Sequence, residues 1–105
     1  MPAAAAPVCY NRGMHRPQET LAGDLLAASD KVHIGGIYSH YKHPDERYVV
    51  LNLAITEAND EICVVYQAQY GEKLTFVRPL ASWLERVPWQ GRTVNRFTLV
   101  DEVGS

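Results

Sequence analysis

Hydrophobic and polar residues alternate with a period of two over most of the chain after residue 35. Side chains of a strand point alternately to two faces, so this pattern predicts β-strands. The predicted strands are residues 37–42, 47–56, 62–70, 74–78 and 93–100. Short polar turns, such as residues 43–46 and 57–60, separate them. Strands joined by short turns are typical of an antiparallel meander.

The residues before the strands divide into two segments. Residues 1–17 hold an alanine run and three prolines without periodicity, so we expect a flexible tail there. Residues 18–34 are predicted to form a short helix and a linker, because Leu21, Leu25 and Ala28 recur at helical spacing. This stripe is expected to dock on the main body or on a partner. Residues 35–105 then form one domain.

A second helical stripe interrupts the strands near the end of the chain. Its apolar residues are Leu80, Trp83, Leu84 and Val87. Pro79 suits the first turn of a helix and Pro88 ends one, so the stripe predicts one short helix that seals an end of the domain. Five short strands and this helix favour a mostly β fold, a small, strongly bent, five-stranded antiparallel barrel of the Src-homology-3-like type. An open α+β sheet is the alternative.

Four blocks of the sequence resemble a widespread bacterial domain of unknown function. They are residues 36–42 (GIYSHYK), 64–71 (VVYQAQYG), 77–85 (VRPLASWLE) and 91–97 (GRTVNRF). Phe76 stands where the family pattern has tryptophan, and Trp83 stands where it has phenylalanine, which exchanges bulk within one core. The resemblance covers about residues 35–98. It implies a small β-rich domain and implies no activity.

Composition and charge exclude several classes of protein. The 105 residues carry a net charge of −2 and are 47% hydrophobic, which is typical of one globular domain. No basic tail and no apolar run of the ~18 residues that span a membrane are present. The start of the chain lacks the basic and apolar regions of a secretory signal. Two cysteines, Cys9 and Cys63, are too few for a disulfide framework, so we expect a cytoplasmic protein.

Patterns for catalysis and metal binding are weak. His40 and His43 lie close to Asp45 and Glu46 in the sequence, but a zinc site needs three or four converging ligands. We therefore expect no metal and no cofactor. Cys63 lies in a predicted strand without a neighbouring cation, as a small buried hydrophobe would. A small enzyme, for example a nucleotide-related hydrolase, remains an alternative.

Aromatic and basic side chains are the strongest functional signal. Tyr38, His40 and Lys42 share one face of the first strand, and we expect that face to meet solvent because lysine is rarely buried. The residues expected to join this surface from neighbouring strands are Arg78, Tyr48 and Arg96. Flat aromatic rings beside cations bind anionic or π-faced ligands. The sequence therefore predicts a binding module for a protein or peptide, with a weaker case for single-stranded nucleic acid.

Two other interpretations stay open from the sequence. In the first, Tyr38 and His40 form a hydrogen-bonded rim of the core, and Arg78 holds a carboxylate such as Glu85 in a structural bridge. In the second, the chain is a structural or oligomer-forming protein whose helix at Leu21–Ala28 packs on a second copy. Solvent exposure of the residues on the first strand tests the first interpretation, and the mass in solution tests the second.

Overall fold

The computed structural model describes residues 16–102, which form seven strands and two helices. The elements are α1 (Gln18–Ser29), β1 (Ile37–His40), β2 (Arg47–Thr56), β3 (Glu61–Ala68), β4 (Thr75–Pro79), α2 (Leu80–Trp83), β5 (Arg86–Trp89), β6 (Arg92–Asn95) and β7 (Phe97–Asp101). Cys9 and most of the predicted tail lie outside the described residues. Within residues 16–102, no helix is long and apolar enough to cross a membrane.

The predicted mostly β class is confirmed, whereas the closed barrel is not. One antiparallel sheet has the strand order β4-β3-β2-β1-β7, and β5 and β6 form a separate hairpin. In the described sheet, β4 and β7 lie at opposite edges and do not pair with each other. The chain between them forms α2 and the hairpin, and β7 then returns beside β1. The sheet is therefore open, as in the alternative prediction.

Strand β2 contains a bulge that the sequence pattern did not predict. Simple alternation places Leu51 and Leu53 on the same face. The register with β3 shifts between Val50 and Asn52, and a bulge of one residue reverses the faces beyond it. Val50 and Leu53 are therefore both buried, whereas Leu51 is 44% exposed.

The core lies where one face of the sheet packs against the two helices. Its buried members are Ala28, Val32, Tyr38, Val50, Leu53, Val64, Tyr66, Trp83 and Phe97. Helix α1 contributes Ala28, which is 2% exposed, and Leu25 packs against the cluster. The apolar stripe of α1 thus packs on its own domain. The predicted shared face of Val64 and Tyr66 on β3 is confirmed.

The helix predicted after Pro79 is shorter than its apolar stripe suggests. Helix α2 is a single turn, and the chain then enters the extended strand β5. Val87 precedes Pro88, and a residue before proline is disfavoured in the helical conformation. Gln90 and Gly91 have φ values of 52° and 79°, as a two-residue hairpin turn requires. Trp83 and Val87 are both buried even though they belong to different elements.

The start of α1 is fixed to the turn between β2 and β3. The backbone N–H of Arg16 donates to the Asp60 carboxylate at 2.8 Å, and the Arg16 side chain donates to the Asp60 carbonyl oxygen at 3.2 Å. The same guanidinium pairs with Asp24 at 2.7 Å. The last two residues of the predicted tail, Arg16 and Pro17, are therefore placed against the domain.

Candidate functional site

Tyr38 lies in the core, so the prediction that it faces solvent is wrong. Its side chain is 6% exposed, and its ring packs edge-on against Trp83 at 5.2 Å between centroids. Its hydroxyl oxygen accepts a hydrogen bond from the backbone N–H of His33 at 2.9 Å. Burial raises the pKa of the Tyr38 hydroxyl, and the hydrogen bond from His33 opposes that rise. The physical reason is register, because Tyr38 lies opposite Tyr48 on the face that the helices cover.

His40 is half-buried at the rim of the same core. Its ring packs edge-on against Phe97 at 5.2 Å, and its Nδ1 accepts a hydrogen bond from the backbone N–H of Lys42 at 3.1 Å. The pKa of His40 is lowered, first by burial and then by the positive charges of Arg78 and Arg96. The imidazole therefore lies in a locally positive environment.

The strand face that carries His40 does not extend to Lys42. Strand β1 ends at His40, so strand alternation no longer sets the direction of Lys42. The Lys42 side chain is exposed, and its Nζ lies 5.9 Å from the ring centroid of Tyr41. Tyr41 in turn packs edge-on against Trp89 of the hairpin at 5.2 Å. Lys42 is thus placed beside the aromatic cluster and outside it.

Arg78 reaches from β4 over the aromatic core. Its Cζ lies 5.5 Å from the ring centroid of Phe97. Its Nη1 donates to Ser82 Oγ at 2.8 Å, and its Nε lies 3.5 Å from the Tyr66 hydroxyl. Within residues 16–102, no carboxylate pairs with Arg78. The structural bridge to Glu85 that the sequence left open is therefore not formed.

Arg96 is the partner of Glu85. Its Nη2 donates to Glu85 Oε1 at 2.8 Å, and its backbone N–H donates to the Glu85 carbonyl at 3.0 Å. The Nε of Arg96 is buried and has no hydrogen-bond acceptor in the described part of the chain. Arg96 lies between β6 and β7, so it divides the single last strand predicted from the sequence. The backbone N–H of Tyr41 donates to the Arg96 carbonyl at 3.1 Å, which fixes this junction to the end of β1.

Tyr48 completes the aromatic wall. Its ring packs edge-on against Tyr66 at 5.5 Å and against Phe97 at 5.9 Å. Its hydroxyl forms a hydrogen bond with the Tyr70 hydroxyl at 2.6 Å. Burial, and then this hydrogen bond, raise the pKa of Tyr48 well above its usual range.

These side chains form one site, which we name the Phe97 site. Its members are Phe97, His40, Tyr48, Tyr66, Arg78 and Arg96. The ring of Phe97 is the common contact of His40, Tyr48, Tyr66 and Arg78, all within 6 Å of its centroid. Guanidinium groups bind carboxylates and phosphates, and aromatic rings hold flat or apolar groups beside them. The structure thus brings three of the six predicted residues, His40, Tyr48 and Arg78, around Phe97, and Arg96 joins them through the effect of its charge on His40. Tyr38 lies in the core, and Lys42 is exposed beyond the end of β1.

Three residues that hold the site together, Tyr66, Ser82 and Tyr70, were not among the predicted site residues. Ser82 follows Arg78 by four residues, and the single turn of α2 brings it back beside the guanidinium. Tyr70 follows Tyr66 by four residues and so has the same strand parity, which is the signal that could have identified it. Phe97 was expected to face inward, and its 7% exposure confirms that expectation. Its role as the floor of a site follows only from the three-dimensional neighbours.

Comparisons with known proteins give a family and no activity. A family model described as a protein of unknown function, DUF1653, matches residues 36–99. The crystal structure of a DUF1653 protein from Bordetella bronchiseptica is 34% identical in sequence and has a TM-score of 0.57. That similarity covers 63% of this chain and 85% of the other. No curated protein matches the chain. All members of the Phe97 site fall within the matched residues.

Proposed function

We propose that this chain, which belongs to the DUF1653 family of proteins of unknown function, is a binding module whose Phe97 site recognises an anionic group of its ligand. The family assigns no activity, so the proposal stands on the chemistry of the site. The observation that carries it is the position of Arg78, half-buried over an aromatic ring without a carboxylate partner in residues 16–102. A cytoplasmic location stays a prediction from the cysteine content.

The charges of the site are unequal. Arg78 and Arg96 are both positively charged, and within residues 16–102 the one carboxylate that pairs with either is that of Glu85, which is 55% exposed and bonded to Arg96. A partly buried positive charge without a partner is unfavourable because it has lost hydration. Burial is the main cause of the lowered pKa of His40, and the positive charges of Arg78 and Arg96 lower it further. A bound carboxylate or phosphate would compensate this charge.

Hydrogen-bond donors remain available for such an anion. The buried Nε of Arg96 has no acceptor in the described residues, and an unsatisfied buried donor costs about 1–3 kcal/mol. The guanidinium of Arg78 has more N–H donors than its contacts with Ser82 and Tyr66 use. Ligand oxygen atoms are the natural acceptors for these groups.

The aromatic rings favour a ligand that also has an apolar part. Tyr48, Tyr66 and Phe97 are packed edge-on against one another, so they lose little conformational entropy when a ligand binds. The net charge of −2 gives the chain no long-range attraction for a polyanion. We therefore favour a peptide or protein ligand over single-stranded nucleic acid.

Titration with small anions tests the proposal on the full chain. Sodium phosphate and sodium acetate are added to isotopically labelled protein, and sodium chloride at equal ionic strength serves as the reference. We expect saturable NMR shifts at His40, Arg78 and Arg96 with a dissociation constant on the order of millimolar, because a ligand of few atoms binds weakly. Shifts that are no larger than those in chloride would contradict the proposal.

Two variants with the same change in net charge distinguish anion binding at the Phe97 site from a general effect of net charge. Arg78→Gln is expected to weaken phosphate binding at least about fivefold, because it removes a charge-assisted contact. Arg47→Gln makes the same change in net charge on the other face of the sheet, where Arg47 lies opposite Ser39 and its side chain donates to the Pro44 carbonyl at 3.0 Å. Equal losses of affinity in the two variants would place the anion elsewhere.

A further inference from the structure

Strand β4 is an edge strand with exposed apolar side chains. Phe76 and Val77 are 41% and 64% exposed, and Leu74, directly before the strand, is 57% exposed. In the described sheet, no strand pairs with the outer edge of β4. Natural proteins usually protect a sheet edge with charges, proline or a covering segment, because an open edge is a template for another strand. The edge of β4 therefore has the character of an interaction surface.

The backbone of β4 presents its free groups to the open side. Ala68 N–H donates to the Leu74 carbonyl at 2.9 Å, so Leu74 begins the hydrogen-bonded pairs of the β3–β4 ladder. In an antiparallel ladder these pairs recur at every second residue. The residues between them, Thr75 and Val77, direct their backbone N–H and C=O groups away from β3. These are the groups that an added strand would bond.

The side chains of β4 connect this edge to the Phe97 site. Phe76 lies 5.8 Å from the ring of Tyr66, and Arg78 lies over Phe97. Val77 has the opposite parity and faces the outer side of the sheet. A strand added to β4 would place two of its side chains, two residues apart, beside Phe76 and Arg78. The residue between them would lie beside Val77.

We infer that the ligand of the Phe97 site is an extended peptide segment that adds as a strand to the open edge of β4. This inference rests on the proposed function and names its ligand class. The segment carries an acidic side chain opposite Arg78, an apolar side chain two residues away opposite Phe76, and a β-branched or apolar side chain between them. The main-chain bonds supply affinity, and the alternate side chains supply specificity, as in other cases of strand addition.

Charge favours a peptide over a second copy of this chain. If two copies paired antiparallel about Val77, Phe76 of each copy would lie opposite Arg78 of the other. That arrangement brings no carboxylate to Arg78, whose guanidinium has none within residues 16–102. An acidic peptide supplies the missing charge. A second copy is therefore an outcome that the experiment must be able to detect.

The test begins with a phage-displayed library of random octapeptides, selected against the full chain. We expect enriched peptides with an acidic residue two positions from an apolar one. The tightest peptide is then synthesised and its affinity measured for wild type, Val77→Pro and Val77→Thr. Proline is tolerated on an edge strand where its nitrogen faces the open side. Val77→Pro is expected to weaken binding at least about tenfold, whereas Val77→Thr, which keeps the N–H, changes it less than about threefold.

Amide exchange supplies a local readout. The Thr75 and Val77 amides are expected to exchange rapidly in the free protein and to be protected by the bound peptide. Equal affinity of the Val77→Pro and Val77→Thr variants, or no protection at these amides, would overturn the inference. Failure to enrich any peptide would overturn it as well. A wild-type dimer that Val77→Pro converts to a monomer would assign the edge to a second copy.

The Arg78→Gln variant keeps the two proposals distinguishable. Binding of peptide and phosphate that is lost in Arg78→Gln but retained in Val77→Pro would leave the Phe97 site standing and would reject strand addition. Peptide binding that is lost in Val77→Pro but retained in Arg78→Gln would reject the anion site. Sensitivity of peptide binding to both substitutions supports both proposals.

Discussion

The indole ring of Trp83 stacks on the phenyl ring of Phe97, with 3.8 Å between the ring centroids and 6° between the ring planes. The stack joins α2 to β7, and Tyr38 packs edge-on against the same indole. Both stacked residues are buried, at 3% and 7% exposure. The floor of the Phe97 site is therefore also part of the hydrophobic core. Substitutions of Trp83 or Phe97 are therefore expected to change the stability of the fold as well as ligand binding.

Trp83→Ala is expected to lower the free energy of unfolding by ~3–5 kcal/mol, the usual result of emptying a large aromatic site. A small domain has only ~5–15 kcal/mol in total, so the variant should be marginally stable. Urea unfolding followed by circular dichroism measures the difference. Trp83→Phe, which keeps a ring against Phe97, should lose about 1–2 kcal/mol. A loss below about 1 kcal/mol for Trp83→Ala would contradict the observed burial.

Gly36 has no room for a side chain. A Cβ atom there would lie 2.7 Å from Leu99 Cδ1 and 3.0 Å from the His33 carbonyl oxygen. The carbonyl belongs to the backbone and cannot rotate away, so Gly36→Ala is expected to cost about 1–3 kcal/mol of stability. Thermal or urea unfolding measures this loss.

Gly23 provides the matched control for Gly36. It lies within α1, and a Cβ atom there meets nothing within 4 Å. Gly23→Ala should therefore raise the free energy of unfolding by about 0.5–1 kcal/mol, because alanine favours the helix. The two identical chemical changes thus have opposite expected signs. If Gly36→Ala were stabilised instead, Gly36 would not be packed tightly against Leu99 of β7 and the His33 carbonyl.

Strand alternation predicted which residues share a face, but not which face is covered. Tyr38 and His40 do lie on one side of β1, and the exposure of lysine indicated that this side faces solvent. Lys42 lies beyond the end of the strand, so its exposure says nothing about Tyr38. The same limitation applies to β2, where the bulge at Leu51 reverses the faces of the strand. The sequence around Leu51 contains no glycine or proline that would indicate a bulge. Only pairing with β3 determines that bulge.

The residue types of the candidate site could be predicted, whereas its geometry could not. The sequence identified Arg78 and Arg96 as cations near an aromatic surface, because both lie next to strand residues of known parity. One of the interpretations that the sequence left open paired Glu85 with Arg78, whereas Glu85 pairs with Arg96. That choice depends on how the β5–β6 hairpin folds back after α2, which is a long-range property. Composition and spacing carry little information about such contacts.

The pH dependence of stability follows from His40. Its pKa is lowered in the folded protein, by burial and by Arg78 and Arg96, relative to about 6.5 in the unfolded chain. As the pH falls through about 6.5, the unfolded state binds the proton first, so the free energy of unfolding decreases until the folded-state pKa is passed. At higher pH, His40 is neutral in both the folded and the unfolded state, so it does not change the free energy of unfolding. Unfolding measured between about pH 8 and pH 5 should show the decline.

His40→Gln should reduce this decline, because glutamine does not titrate. His33→Gln is the control, since His33 is exposed and is not among the charges that lower the pKa of His40, so its removal should leave the decline due to His40 in place. The comparison uses the difference in unfolding free energy between the two ends of the pH range for each variant. If wild type and His40→Gln lose the same free energy on acidification, His40 does not titrate in the environment described.

Glu85→Gln is expected to strengthen anion binding while changing stability little. The Glu85 carboxylate accepts a hydrogen bond from Nη2 of Arg96. Neutralising this carboxylate leaves the site with more positive charge and makes the Arg96 guanidinium more available to a bound anion. The pair is partly exposed, so its loss should change the free energy of unfolding by less than about 1 kcal/mol. Phosphate titrations should give a dissociation constant about three- to tenfold lower than that of wild type. Glu19→Gln raises the net charge equally from the first turn of α1 and should leave the constant unchanged. Equal effects of the two variants would show that net charge, rather than the Arg96 guanidinium, governs phosphate binding.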